Sequence, residues 1–223
     1  MNLNFRPLNA SLRKKTQHLL IQYLPPFTTP QDLKYALVKH NVPGIKNIAP
    51  IYKRFRPADA ALVTLASPNH LQEAMQRLRR FEITGLEASP EPIIPPEEWL
   101  VVKRNRGHQG RKEASERGIM DGTGPWAGLG GSKLAEKAVV LTGFPGTAPV
   151  AMVEEFLEGY GVSESKGEKM VYKIPLPPHA NTIFSKFLVV MNTGEDAQQV
   201  FRELNQKQLP SRKQHLIQAQ LIY

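Results

Sequence analysis

Cysteine is absent from the 223 residues, which excludes a disulfide framework and any cysteine-ligated zinc site. Six histidines, at 18, 40, 70, 108, 179 and 215, are scattered without the spacing of metal ligands. Long apolar runs are missing too. None approaches the roughly 18 to 20 residues of a membrane-spanning helix. Acid is absent before Asp32, while "MNLNFRPLNASLRKKTQ" carries Arg6, Arg13, Lys14 and Lys15 without the apolar core of a secretory signal. Such a start is shared by organelle transit peptides and by short basic arms that contact RNA; mitochondrial import is the expected address, with nucleus or cytoplasm otherwise.

Catalytic signatures are equally scarce. No paired carboxylates and no Ser/His/Asp constellation are tied to a pocket-forming motif, so the expectation is a non-enzymatic protein with no cofactor, metal or small-molecule substrate. "GLGGSK" has its Gly, Ser and Lys in the wrong order for a phosphate-binding loop, and "GTGPWAG" misses the dinucleotide-binding spacing.

What is present is an uneven charge. The formal net charge is +9, and residues 1 to 90 hold 13 Lys and Arg against 5 Asp and Glu, whereas residues 137 to 223 hold 9 against 8. A surplus confined to one end points to a polyanionic partner.

The apolar pattern runs twice through one order of elements. "HLLIQYLP" (18 to 25) reads as a strand, "TTPQDLKYALVKHN" (28 to 41) as a helix capped by Thr29 with Pro30 in its first turn, "IKNIAPIYKRF" (45 to 55) and "ADAALVTL" (58 to 65) as strands, "SPNHLQEAMQRLRRF" (67 to 81) as a helix and "EITGLEA" (82 to 88) as the last strand. In the second half "AVVLTGFP" (138 to 145) matches the first strand at an offset of 120, and the helix "GTAPVAMVEEFL" (146 to 157), "KMVYKI" (169 to 174), "SKFLVVMNT" (185 to 193), "GEDAQQVFRELNQ" (194 to 206) and "QHLIQAQLIY" (214 to 223) follow. The expected organisation is an arm (1–16), a domain (17–90), a Pro-rich, then basic, then Gly-rich linker (91–136) and a second domain (137–223).

This order and two of its strands resemble the RNA recognition motif family, in two degenerate tandem copies. "LLIQYL" and "VVLTGF" resemble the family's hexamer, and "ADAALVTL" and "FSKFLVVM" its octamer. The resemblance implies α+β, ferredoxin-like βαββαβ domains, each with a four-stranded antiparallel sheet on two helices and an open face for single-stranded RNA. It also implies stacking rings at positions held here by Leu20, Ala60 and Leu62 in the first copy and Val140, Lys186 and Leu188 in the second. None is aromatic.

Two readings follow. RNA is met through charge and loops: by Arg13, Lys14 and Lys15 of the arm, Gln22, the cluster Tyr52, Lys53, Arg54, Phe55 and Arg56 with rings among cations, the linker's Lys103, Arg104 and Arg106, and Thr142, Phe184 and Lys186 of the second copy. Alternatively, the aliphatic faces bind protein through Leu20, Ala60, Leu62, Val140 and Leu188, with Trp99 folding back or a partner seated there, making the chain a scaffold. The expected partners are RNA and other proteins of a ribonucleoprotein, mitochondrial or ribosome-associated.

Overall fold

The computed structural model describes residues 16–95, 136–165, 167–175, 182–209 and 212–223, the backbone alone at 212–215. They fall into two compact units, one on either side of the linker.

In the first unit, β1 (His18–Gln22) leads to α1 (Pro30–Lys39), β2 (Ile45–Lys53), β3 (Arg56–Leu65), α2 (His70–Arg77), β4 (Phe81–Ile83) and β5 (Leu86–Ile93). The antiparallel sheet has the order β2-β3-β1-β5-β4. Helix α1 starts where the sequence says it should: Thr29 Oγ1 accepts from the Asp32 amide at 3.1 Å while the Asp32 carboxylate accepts from the Thr29 amide at 3.1 Å. The helix buries Leu33, Ala36 and Leu37. These pack with Leu71, Ala74 and Leu78 against Leu19, Ile21, Ala61, Val63 and Leu65 on one face of the sheet.

The last strand departs from the expected 82 to 88. Phe81–Ile83 and Leu86–Ile93 form a hairpin around Thr84 and Gly85, both at positive φ (50° and 80°), as a two-residue type I′ turn requires. Strand β5 then runs alongside β1 to Ile93, beyond residue 90, through Pro90 and Pro92. Beyond β4 this stretch is an edge. The two prolines alternate with Ser89, Glu91 and Ile93, so their missing N–H groups fall on the side away from β1, where no ladder bond is lost.

The second unit repeats the plan with β6 (Ala138–Pro145), α3 (Val150–Phe156), the small hairpin β7 (Glu164–Ser165) and β8 (Glu168–Lys169), β9 (Val171–Ile174), β10 (Phe184–Val190), α4 (Gly194–Leu204), β11 (Gln208–Leu209), β12 (Arg212–Leu216) and β13 (Gln218–Ile222). Its main sheet has the order β13-β6-β10-β9. Phe144 anchors the core, meeting Phe156 and Phe187 edge-on at centroid separations of 5.5 and 5.6 Å. A Thr193–Asp196 capping box opens α4 as Thr29–Asp32 opens α1.

The two copies part at the exit of the first strand. Opposite β10 the register slips between Ser185, paired with Phe144, and Lys186, paired with Thr142, leaving Gly143 as a bulge. Gly143 has φ 115°, and a Cβ there would overlap the Leu216 carbonyl. Glycine is required. The corresponding residue of the first unit, 120 positions earlier, is Tyr23, also left-handed at φ 61°.

Candidate nucleic-acid interface

Strand alternation sends Leu19, Ile21, Ala61 and Val63 under the helices and turns Leu20, Ala60 and Leu62 to the opposite, outer face. The register makes them neighbours: Leu20 faces Leu62 and Gln22 faces Ala60. In the second unit Val140 faces Leu188 and Thr142 faces Lys186. The four-residue arrangement is the same in both copies, so the aligned positions found in sequence are equivalent in space.

The outer faces are closed. Leu20, Ile51, Ala60, Leu62 and Ile93 are only 0 to 5% exposed and form a second apolar cluster in the first unit. Val140, Leu188, Val190 and Ile222 are 0 to 2% exposed in the second. Trp99 lies outside the described residues, as do Arg13, Lys14, Lys15, Lys103, Arg104 and Arg106.

His18 opens β1 on this outer face. Its Nδ1 lies 3.1 Å from Thr64 Oγ1, and burial pushes its pKa below the usual value. It adds no cation to the face at neutral pH. Polar groups reach the second unit's face along one row across three strands, Lys186, Thr142 and Gln218. Lys186 and Thr142 are half-buried and Gln218 is exposed; Phe184 is half-buried beside Pro145.

The cationic cluster is a tight hairpin tip. Lys53 and Arg56 pair across β2 and β3, and Arg54 and Phe55 between them have φ of 51° and 58°, again the signature of a type I′ turn. Lys53 and Arg56 are exposed and Arg54 is half-buried. The rings behave differently from the expectation. Tyr52 and Phe55 are 3% and 0% exposed, so neither offers a face on which a base can stack. Phe55 spends its ring on packing, and a bulky residue at positive φ persists only where packing holds it.

Two rings that sequence reasoning passed over stand open at the same end. Tyr23 is 64% exposed and Phe27 is 94% exposed, in the loop from β1 to α1. The Leu24 amide donates to the Asp59 carbonyl at 2.9 Å, tying this loop to the start of β3, just past the cationic turn. The signal was in "QYLPPF": two rings in a proline-stiffened loop without an acid.

No protein-family profile matches the sequence. No curated protein matches it either. Among solved structures, the chain is similar to the Sex-lethal protein/RNA complex, at 15% identity over 92% of this chain and 99% of that one, with a TM-score of 0.32. It is also similar to the N-terminal three RNA-binding domains of the yeast splicing factor Prp24, at 14% identity over 93% of this chain and 66% of that one, TM-score 0.30. A third is the RRM3 domain of Mip6, at 19% identity over 41% of this chain and 99% of that one, TM-score 0.32. Both units have the α+β, ferredoxin-like βαββαβ fold. Strand order, seen twice in this chain, shows it: the last βαββαβ strand beside the first, the first beside the third, the third beside the second. Among the described residues no group of three or more His, Asp or Glu gathers to hold a metal ion, and no helix is long and apolar enough to cross a membrane.

Proposed function

We propose that the chain is a non-enzymatic RNA-binding protein that meets single-stranded or structured RNA chiefly at the hairpin end of its first unit. The observation that carries this reading is the exposed pair Lys53 and Arg56, set with Arg54 on one tight turn at the end of a sheet whose outer face is closed. Cations held on a two-residue turn lose less freedom on meeting phosphate than cations on a long loop. The arm and the basic linker run add phosphate contacts, and the row Lys186, Thr142 and Gln218 offers weaker contacts to base edges in the second unit.

The acid-free, arginine-bearing first stretch supports a mitochondrial setting. There the chain serves a ribosome-associated ribonucleoprotein, with other proteins as neighbours. A scaffold role is the second reading, favoured by the aliphatic outer rows Leu20, Ala60, Leu62 and Val140, Leu188; with these residues at most 5% exposed, that role requires the rows to open to a partner.

Affinity of the full chain for a mixed-sequence single-stranded RNA, measured by fluorescence anisotropy, tests the choice. Replacing Lys53, Arg54 and Arg56 together with Ala is expected to weaken binding about tenfold or more at low salt. Unchanged affinity defeats the hairpin reading, and partners retained from extract after ribonuclease treatment favour the scaffold.

A further inference from the structure

We infer that the loop from β1 to α1 is a base-stacking site, with Tyr23 and Phe27 as two platforms for successive unpaired bases of the RNA whose phosphates the hairpin cations hold. The inference rests on the RNA-binding reading above and locates the bases, which that reading leaves unplaced.

Three observations converge on the loop. First, its rings are open: Tyr23 is 64% exposed and Phe27 is 94% exposed. Apolar ring surface left in water costs free energy unless something covers it. Second, the loop is anchored. Leu24 is buried in the core, its amide donates to the Asp59 carbonyl, and the Thr28 amide closes a turn on the Pro25 carbonyl at 3.0 Å. The rings therefore project from a fixed frame.

Third, the second copy has glycine at both corresponding places. Gly143 matches Tyr23, and Gly146 matches Phe27 in the alignment of "FTTP" with "GTAP". Packing does not demand a ring at the strand exit, and Tyr23 holds a left-handed φ of 61°, a conformation that favours glycine. A side chain kept at such a site, exposed and outside the core, points to use.

Charge decides what covers the rings. Residues 22 to 31 contain no acid, and the first one after them, Asp32, is committed to the helix cap. Asp59 is the sole acid from 52 to 60 against Lys53, Arg54 and Arg56. Rings beside a cationic turn suit a strand that presents flat bases and phosphates alternately.

The test measures the full chain against two probes, a 12-nucleotide single-stranded RNA and the same ribose-phosphate backbone without bases. Wild type is expected to prefer the base-bearing probe by about tenfold or more. Tyr23→Gly with Phe27→Ser is expected to lose that preference while retaining binding to the abasic probe. Tyr23→Gly alone relieves the left-handed strain, so its thermal midpoint should not fall although its affinity for the base-bearing RNA does. That pairing separates a binding ring from a structural one.

If the double variant binds base-bearing RNA as wild type does, the stacking site is overturned while the hairpin reading stands. If wild type binds neither probe, both readings fall. If the double variant loses abasic binding in proportion, the rings act on the frame of the loop and the stacking assignment is wrong.

Discussion

The loop after the first strand is built in opposite ways in the two units. In the second, Gly143 lets the backbone approach the Leu216 carbonyl, the Gly146 amide donates to the Ile183 carbonyl at 2.9 Å, and Lys173 Nζ donates to the carbonyls of Gly146 and Ala148, both at 2.9 Å. The loop is closed on its own unit. In the first, Tyr23 and Phe27 stand where those glycines are, and the rings point outward beside a cationic turn. One strand-to-helix connection thus serves as a packed joint in one copy and as an exposed surface in the other. The charge follows the same division, with nearly all the surplus in the first 90 residues.

Exchanging the strand-exit residues breaks this comparison most severely. Gly143→Tyr places a side chain on the Leu216 carbonyl at a φ of 115°, and should cost the second unit about 3 kcal/mol or more. The reverse change, Tyr23→Gly, should leave the first unit within about 1 kcal/mol, because strain relief offsets the extra freedom of the unfolded chain. Chemical denaturation of the full chain, following each unit's transition, reads both. Equal losses would remove the asymmetry.

Lys173→Met is a milder probe of the closed loop. It strips a donor from two carbonyls, and water replaces it in part because Lys173 is exposed. The second unit should lose about 1 kcal/mol. No loss would mean that the glycines alone close the loop.

The smallest effect concerns pH. Burial lowers the His18 pKa, so the folded first unit favours the neutral ring. The unfolded chain then binds more protons, and the stability tied to His18 is complete above the ordinary value near 6.5 and drains away as pH falls from there towards the folded pKa. The matching residue of the second unit is Ala138, which titrates nothing. His18→Gln should flatten the first unit's denaturation midpoint across this window, and a slope that survives the change would assign it to another group.

Much of this architecture was legible because strands with one face under helices must alternate. Alternation alone separates Ala61, Val63 and Leu65 from Ala60 and Leu62, and the resemblance implies that the second pair is the outer one, as the folded unit has it. The fifth strand was cut short because Pro90 and Pro92 look like the start of a linker. Only the sheet edge, invisible in sequence, makes them tolerable there. The site was harder to see. A ring between cations in "YKRFR" looks like a stacking platform, but a type I′ turn and burial turn Phe55 inward. Tyr23 and Phe27 went unmarked because no family position or charge run singles them out, and exposure is a property of the folded unit.

Whether RNA phosphates meet the hairpin end of the first unit, as proposed, is read most directly from the salt dependence of the full chain's affinity for single-stranded RNA, for wild type and for the Lys53, Arg54 and Arg56 triple alanine variant. Each cation lost from a phosphate contact should reduce the log–log slope by about 0.7. The account predicts a slope shallower by about 2 for the variant. A slope identical to wild type would contradict it.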